Sequence, residues 1–215
     1  MTKQRLFEAA MELIGQRGTD GVTVEEIALA AGVAKGTVYY NFGSKNELVE
    51  QLLRHGMGLL MDRLGDGPEE APEDSATRRA RSGHAPDSSA APSSFDPLDE
   101  VGRKIRRALG FIADYPAFVR LWLGEQWRAD GAWQGLLTDM RGDVLEVIEA
   151  SVRHVAEVRP LREGLTPGGV AVALFGAAFV TGMDRAAFHP ERSLDEAGEA
   201  VLCIVRGALE PTGEA

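Results

Sequence analysis

Hydroxyl groups and amines recur at helical spacing in one short segment near the N-terminus, GVAKGTVYYNFGSKNEL (residues 32–48). Side chains of these types donate hydrogen bonds to phosphate oxygens and meet base edges in the major groove of DNA. The segment therefore predicts a surface that lies against a phosphate-lined groove. The side chains concerned are Lys35, Thr37, Tyr39, Tyr40 and Lys45.

Amphipathic helical patterns surround this segment. The stretch LFEAAMELI (residues 6–14) has apolar side chains at i, i+3, i+4, i+7 and i+8, which predicts one buried helix face. Thr23 with Glu26 and Ser44 with Glu47 have the spacing of a capping box, so each pair marks the start of a helix. The short central helix between two such elements is typical of a helix-turn-helix.

The third helix, about residues 34–41, is predicted to have one buried face and one open face. At 100° per residue, Val38 and Phe42 point into a small core. A half-buried core position stays an open alternative for Tyr39, and Thr23 is a helix cap whether or not it also meets a phosphate. The opposite face carries Gly36, Thr37 and Tyr40.

Residues from about Arg5 to Leu53 closely resemble the N-terminal domain of the TetR family of transcriptional regulators. The resemblance implies a homodimer that binds a (pseudo)palindromic operator in double-stranded DNA and usually represses transcription. The matching residues include Ala9, Ala10, Gly18, Thr23, Ile27, Ala28, Ala31, Gly32, Val33, Gly36, Thr37, Tyr39, Phe42, Lys45 and Leu48. From the residues and the resemblance together, the predicted DNA contacts are Thr23, Lys35, Gly36, Thr37, Tyr39, Tyr40, Asn41 and Lys45.

Ala34 is a departure from the family pattern, since many members have at this position a serine that can cap the recognition helix. The start of the third helix is therefore expected to be weaker in this chain.

The net charge of −10 does not exclude nucleic acid as a partner. Residues 1–65 carry 7 Lys and Arg against 8 Asp and Glu, whereas residues 66–100 carry 3 against 9. A nearly neutral head can bind DNA if its cations share one face. The single cysteine, Cys203, excludes an internal disulfide. The sequence predicts a cytoplasmic protein with no membrane-spanning segment and no membrane partner.

The chain is predicted to be all-α, with about nine helices in three regions. Residues 1–50 form the helix-turn-helix DNA-binding domain, and a fourth helix at about 44–65 connects it to the rest. Residues 66–97, rich in Pro, Ser, Ala and acidic side chains, form a flexible, disordered linker or insertion. Residues 98–210 form a helical ligand-binding and dimerisation domain.

The second domain resembles the family's regulatory domain less specifically. Two helices, at about 167–188 and 194–209, resemble the pair that packs against the two-fold mate; a helix buried within one subunit is the alternative. The resemblance implies an unidentified small-molecule effector, hydrophobic or amphipathic, in a cavity among these helices. A regulator without effector, whose second domain only dimerises, is the alternative function. Candidate cavity residues are Phe111, Tyr115, Phe118, Trp122, Trp127, Trp133, Phe175, Phe179 and Met183.

The sequence does not favour an enzyme. The four histidines, His55, His84, His154 and His189, are scattered without metal-ligand spacing. Cys203 lies in the apolar run VLCIV and is predicted to be a core residue. No catalytic residue, metal site or cofactor is therefore assigned.

Overall fold

A computed structural model describes residues 2–65, 96–128 and 131–211 of the chain. The prediction of an all-α fold is confirmed, with nine helices in these ranges. The predicted linker at 66–97 lies outside the described residues except for its last two positions. The helices are α1 (Thr2–Arg17), α2 (Val24–Ala31), α3 (Lys35–Phe42), α4 (Lys45–Leu64), α5 (Pro97–Asp114), α6 (Pro116–Gln126), α7 (Gln134–Val158), α8 (Pro167–Phe188) and α9 (Leu194–Ala208).

The helices of the head begin and end at residues suited to those positions. The Thr23 side chain accepts a hydrogen bond from the Glu26 amide, and the Glu26 carboxylate accepts one from the Thr23 amide, which forms the predicted capping box. Gly32 ends α2 with φ of 66°, a left-handed conformation that glycine adopts without steric cost. Ser44 caps α4 through the Glu47 amide. These local bonds fix the turns on either side of α3.

The second domain is built from α5 to α9. Asp96 caps α5, Thr166 caps α8 and Ser193 caps α9, and each side chain accepts a bond from a backbone N–H of its helix. Helices α7 and α8 pack together, and α5 packs against both α8 and α9. Burial of their apolar faces forms a core that includes Leu109, Val152 and Val205.

The head and the second domain share one hydrophobic cluster. It runs from head residues such as Leu6 and Leu52 through Phe118 of α6 to Val144 of α7. Two glycines let the helices approach closely at this junction. A Cβ on Gly15 would lie 2.6 Å from Cβ of Ala117, and one on Gly56 would lie 2.2 Å from the ring of Phe118. Helix α6 is therefore seated directly on α1 and α4.

One expectation is corrected by this fold. Cys203 is exposed rather than buried, because it lies on the outer side of α9 while Val201, Leu202 and Val205 fill the core. Among the described residues, α8 is long and apolar enough, by length and composition, to cross a membrane, a test that core helices of soluble proteins also pass. Its sequence is rich in Gly and Ala, and its two charged side chains, Asp184 and Arg185, lie near its C-terminal end. Within the chain, α8 packs against α5, α7 and α9.

Candidate nucleic-acid interface and ligand cavity

Helix α3 presents its hydroxyl groups to solvent because its apolar side chains are used by the core. Val38 and Phe42 are buried, and Phe42 packs against Phe7 of α1 with ring centroids 5.4 Å apart. The Tyr40 side chain is 91% exposed and that of Tyr39 is 44% exposed. Two phenolic hydroxyls are thus available on the outside of the head, as the helical wheel predicted for Tyr40.

The backbone of α3 is open to close approach at Gly36. A Cβ added there would meet nothing within 4 Å. Thr37, one residue later, is half-buried. A groove wall can therefore approach the first turn of α3 more closely than a larger side chain at Gly36 would allow.

Lys35 is held by an acidic residue of α2. Its ammonium group bonds the Glu25 carboxylate, and it lies 5.8 Å from the ring centroid of Tyr39. The bond to Glu25 raises the pKa of Lys35, and the same bond to Lys35 lowers the pKa of Glu25. Both side chains are largely exposed. The pair orients Lys35 but also offsets its positive charge on the predicted DNA surface.

Asn41 and Lys45 also have partners within the chain. The Asn41 amide donates to the Thr37 carbonyl oxygen at 2.7 Å, so one of its donors is already used. Lys45, at the start of α4, donates to the carbonyl oxygen of Thr19 in the loop between α1 and α2. An ammonium group has three donors, so this bond leaves Lys45 able to contact a phosphate.

The start of α3 has no side-chain cap. Ala34 occupies the N-cap position in an extended conformation and makes no side-chain hydrogen bond. A serine there would satisfy one free amide of the first turn. The structure thus shows the missing cap, and a weaker start of α3 stays a prediction.

Acid is expected to weaken the start of α2. The Thr23 amide, followed by the side chains of Arg17 and Thr23, bonds the Glu26 carboxylate and lowers its pKa from 4.5 to about 2. A carboxyl group whose pKa is lower in the folded state stabilises the fold at pH values above its unfolded-state pKa. That contribution is lost as the pH falls from 4.5 towards 2. Glu26→Gln should therefore flatten the stability profile in this window, measured by urea unfolding at successive pH values. Parallel profiles for the two proteins would contradict the assignment.

An apolar cavity of about 80 Å³ lies among α4, α5, α6, α7 and α8. Four of the nine aromatic or methionine side chains proposed from the sequence line it: Phe111, Trp122, Phe175 and Phe179. Three of these rings form a contact series, in which Trp122 lies 5.8 Å from Phe175 and Phe175 lies 6.2 Å from Phe179.

The other five lie outside the cavity lining, which corrects their predicted position. Trp127 is 78% exposed after the end of α6 and borders a separate surface groove. Trp133 donates its indole N–H to the Asn46 carbonyl oxygen at 3.2 Å, beside the head. Phe118 packs against Gly56 in the junction between the domains. Tyr115 and Met183 pack against the shared cluster from its edge.

Most of the lining is aliphatic and was missed. The candidates predicted from the sequence were mainly aromatic, whereas the cavity is built mainly from Val, Leu, Ile and Ala on facing helices. The apolar stripe of α5 carried the available signal, since its members recur at i, i+3, i+4 and i+7. The missed lining residues are Leu60, Leu64, Val101, Lys104, Ile105, Ala108, Ile112, Val119, Val144, Val147, Ile148, Ser151, Leu174 and Ala178.

Helix α6 links this cavity to the head. Val119 and Trp122 line the cavity, and one turn later Glu125 is buried against the loop between α1 and α2. The Thr19 hydroxyl donates to Glu125 Oε1 at 2.5 Å. Arg128 pairs with Asp20 at 2.6 Å and approaches Glu125 at 3.4 Å.

The same loop carries the Thr19 carbonyl oxygen that Lys45 bonds. A displacement of α6 by a ligand would therefore act on the loop that positions Lys45.

A metal centre finds no support among residues 2–65, 96–128 and 131–211, where no three His, Cys, Asp or Glu side chains lie close enough to hold an ion.

Comparison with known sequences finds relatives of the head. Residues 6–52 match the model of the bacterial regulatory proteins of the TetR family. The chain is 37% identical over 65 residues to the uncharacterised HTH-type transcriptional regulator YvdT of Bacillus subtilis, covering 28% of this chain and 34% of YvdT. It is 39% identical over 61 residues to the HTH-type transcriptional repressor KstR2 of Mycobacterium tuberculosis H37Rv, covering 28% and 30%. The chain thus spans about a third of the length of the curated relatives that it matches.

Solved structures share the fold over nearly the whole chain. The ketosteroid transcriptional regulator KstR2 of Mycobacterium tuberculosis superposes with a TM-score of 0.69 at 21% identity, covering 98% of this chain and 96% of that chain. The regulator FadR of Bacillus subtilis, solved in complex with stearoyl-CoA, superposes with a TM-score of 0.70 at 16% identity, covering 96% and 99%. At these identities the likeness shows the fold alone.

Proposed function

Because the N-terminal domain of this chain belongs to the TetR family of bacterial regulatory proteins, we propose that the protein is a DNA-binding transcriptional regulator. We propose further that it acts in the cytoplasm as a repressor. A small-molecule effector would release it from a palindromic operator. The observation that carries the proposal is the outer face of α3. Tyr40 is almost fully exposed, Gly36 leaves the backbone open, and the helix is held from behind by Val38 and Phe42.

Helix α3 has the size and chemistry for the major groove. Eight residues span about 12 Å at 1.5 Å per residue, which suits insertion into a groove about 12 Å wide. Thr37 can meet a base edge or a thymine methyl, and the tyrosine hydroxyls can donate to phosphates. Lys45 adds a positive charge at the start of α4, where the helix dipole also favours an anion. We assign base reading to Thr37 and phosphate binding to Tyr39, Tyr40 and Lys45.

A homodimer would set two such helices at successive turns of the duplex. The exposed side of α8 supports this assembly, because Val172, Val180 and Phe188 are large apolar side chains in solvent. Gly176, also on α8, would meet nothing within 4 Å if it carried a Cβ, so a second backbone can approach there. We propose that α8 and α9 pack against a second copy of the chain rather than against a membrane.

The effector is proposed to occupy the cavity lined by Phe111, Trp122 and Phe175. An almost wholly apolar lining suits a hydrophobic or amphipathic molecule. FadR, whose fold is shared, was solved with stearoyl-CoA, and an acyl compound is one member of this chemical class. The contacts of α6 with the head give ligand binding a route to the DNA surface. In the alternative function, no effector binds in the cavity, and the second domain serves only for dimerisation.

Protection of genomic DNA by the purified full chain tests the proposal, starting with the region upstream of its own gene. Tyr40→Phe should weaken binding to a protected fragment by about 10- to 150-fold, because a hydrogen bond to a charged acceptor contributes about 1.5–3 kcal/mol. Tyr40 is exposed, so the change should leave the unfolding temperature unaltered. Tyr115→Phe, which removes a phenolic hydroxyl from the second domain, is the matched control and should bind as the wild type does.

Two outcomes would count against the proposal. The first is the absence of any protected site in the genome. The second is an equal affinity of the Tyr40→Phe and Tyr115→Phe proteins for a protected fragment. If DNA is bound but no compound in a metabolite panel releases it or raises the unfolding temperature, the alternative without effector is favoured.

A further inference from the structure

Lys35 is the one charged side chain of α3, and its charge is already paired with that of Glu25 on α2. The ammonium group of Lys35 bonds the Glu25 carboxylate, and the two side chains are 50% and 57% exposed. The nitrogen of the same ammonium group lies 5.8 Å from the ring centroid of Tyr39, one of the proposed phosphate contacts. A phosphate that approaches α3 beside Tyr39 therefore meets a cation that a carboxylate already holds.

Glu25 also lies at the start of α2, where a second feature attracts anions. It belongs to the first turn of this helix, whose free backbone N–H groups and dipole favour a negative charge. Thr23, the N-cap of the same helix, is a predicted DNA contact. One carboxylate of the chain thus serves both of the features that would attract a phosphate here, the start of α2 and Lys35.

The fold makes little use of Glu25. Its neighbour Glu26 forms the capping box with Thr23 and pairs with Arg17 at 2.8 Å, whereas the Glu25 carboxylate bonds Lys35 and its own backbone amide. An exposed ion pair contributes little to stability, because water screens both charges. Removal of the Glu25 charge should therefore leave the unfolding temperature nearly unchanged.

We propose that Glu25 is a competitor of DNA built into the head: it binds Lys35 in the free protein, and a DNA phosphate reaches Lys35 only by displacing it. The inference rests on the proposed DNA-binding function. Displacement breaks the ion pair and leaves the Glu25 carboxylate beside the phosphate backbone, so both effects weaken binding. Residues 1–65 carry 7 Lys and Arg against 8 Asp and Glu, and one masked cation is a substantial part of that positive charge. Glu25 thus limits the strength with which charge alone holds the head on DNA of any sequence.

Glu25→Gln removes the carboxylate charge and tests the competition in the full chain. Binding to a protected DNA fragment should tighten about three- to tenfold at about 0.1 M salt, the effect expected of one unit charge a few ångströms from a phosphate in water. The slope of log K against log salt concentration should steepen by up to about 0.9, because one more phosphate is neutralised. Glu149→Gln is the matched control. It removes the same charge and breaks an exposed ion pair with Arg153 on α7, and it should alter neither the affinity nor the slope.

A double-mutant cycle with Lys35→Gln separates competition for Lys35 from a general effect of charge. In the Lys35→Gln background the carboxylate still repels DNA, but it holds no cation that DNA must take over. Glu25→Gln should therefore tighten binding about two- to fivefold more in the presence of Lys35 than in its absence, the coupling of an exposed ion pair. Equal tightening in both backgrounds overturns the inference, and so does a Glu25→Gln protein that binds no more tightly than the Glu149→Gln protein.

NMR of the Glu25 carboxyl carbon provides a readout that does not depend on affinity. In the free protein the bond from Lys35 lowers the pKa of Glu25, and Lys35→Gln should raise that pKa towards its ordinary value. Addition of the protected fragment at neutral pH should shift the Glu25 signal as Lys35 leaves the carboxylate. DNA bound with an unmoved Glu25 signal overturns the inference but supports the proposed function. If neither the wild type nor the Glu25→Gln protein binds DNA, the inference and the proposed function are both overturned.

Discussion

Replacing Gly56 by alanine is expected to lower the free energy of unfolding by about 1–3 kcal/mol, the usual cost of overpacking a core. A Cβ at this position would lie 2.2 Å from Cδ2 of Phe118. The Phe118 ring is held in turn by Phe111, whose centroid lies 5.7 Å away, and by Trp122. Relief of the clash therefore requires α4 and α6 to separate, which exposes the cluster shared by the head and the second domain.

Gly58 provides the matched control on the same helix. A Cβ there would meet nothing within 4 Å, and the residue is exposed. Gly58→Ala should therefore stabilise the protein by up to about 1 kcal/mol through helix propensity alone. Urea unfolding of both full-length variants measures the difference in sign. Equal shifts would mean that the approach of α4 to α6 is not limited by Gly56.

A second substitution tests whether Gly56→Ala destabilises the protein through its clash with Phe118 or because α4 tolerates no substitution at that position. Phe118→Leu should be destabilising on its own, because it leaves space beside Gly56. Combined with Gly56→Ala, it should cost less than the sum of the two single changes, since the added methyl fills part of that space. An additive result would contradict direct contact between the two positions.

Thr19→Val is expected to cost about 1–3 kcal/mol of stability, the penalty for leaving a buried polar partner unsatisfied. The Thr19 hydroxyl donates to Glu125 Oε1 at 2.5 Å, and both residues are buried although 106 positions separate them in the chain. Glu125 Oε2 has no partner among the described residues, so the carboxylate depends on Thr19 and Arg128. Valine has the shape of threonine without the hydroxyl, and the variant therefore isolates the hydrogen bond from packing.

Thr138→Val is the control for the Thr19 variant. Thr138 also donates a hydrogen bond, to the Gln134 carbonyl oxygen at 2.9 Å, but it is exposed on α7. Its replacement should change stability by less than about 0.5 kcal/mol, as is usual for surface positions. Thermal and urea unfolding of the two variants give the comparison. If the Thr19→Val protein is as stable as the Thr138→Val protein, the bond from Thr19 to Glu125 does not help to hold α6 against the head.

The helix boundaries show how much of the fold is encoded locally. The capping pair Thr23 and Glu26 lies three residues apart, so both of its bonds join near neighbours in the chain. The bounds predicted for α8, residues 167–188, agree with the structure, because Pro167 can begin a helix and its N-cap Thr166 precedes it. Periodicity likewise placed Val38 and Phe42 in the core.

The cavity could not be predicted in the same way. Aromatic side chains were chosen by type, and Trp127 was placed among them, but it lies beyond the end of α6 with most of its surface in solvent. Trp133 and Phe118 instead contact Asn46 and Gly56 of α4, respectively. Cys203 was assigned to the core from its apolar neighbours, although the rotation of α9 turns it outward. Each error concerns which neighbour a side chain meets, and the neighbour lies far away in sequence.

By itself, the sequence determined the all-α class, the TetR-like head and the outward position of Tyr40, because caps and helical periodicity are short-range properties of the chain. Only the tertiary structure decided which residues enclose the cavity, that α6 is seated on α1 and α4 through Gly15 and Gly56, and that Thr19 meets Glu125. These features depend on the approach of helices distant in sequence, which is set by mutual packing of side chains and leaves no periodic signal in any one segment.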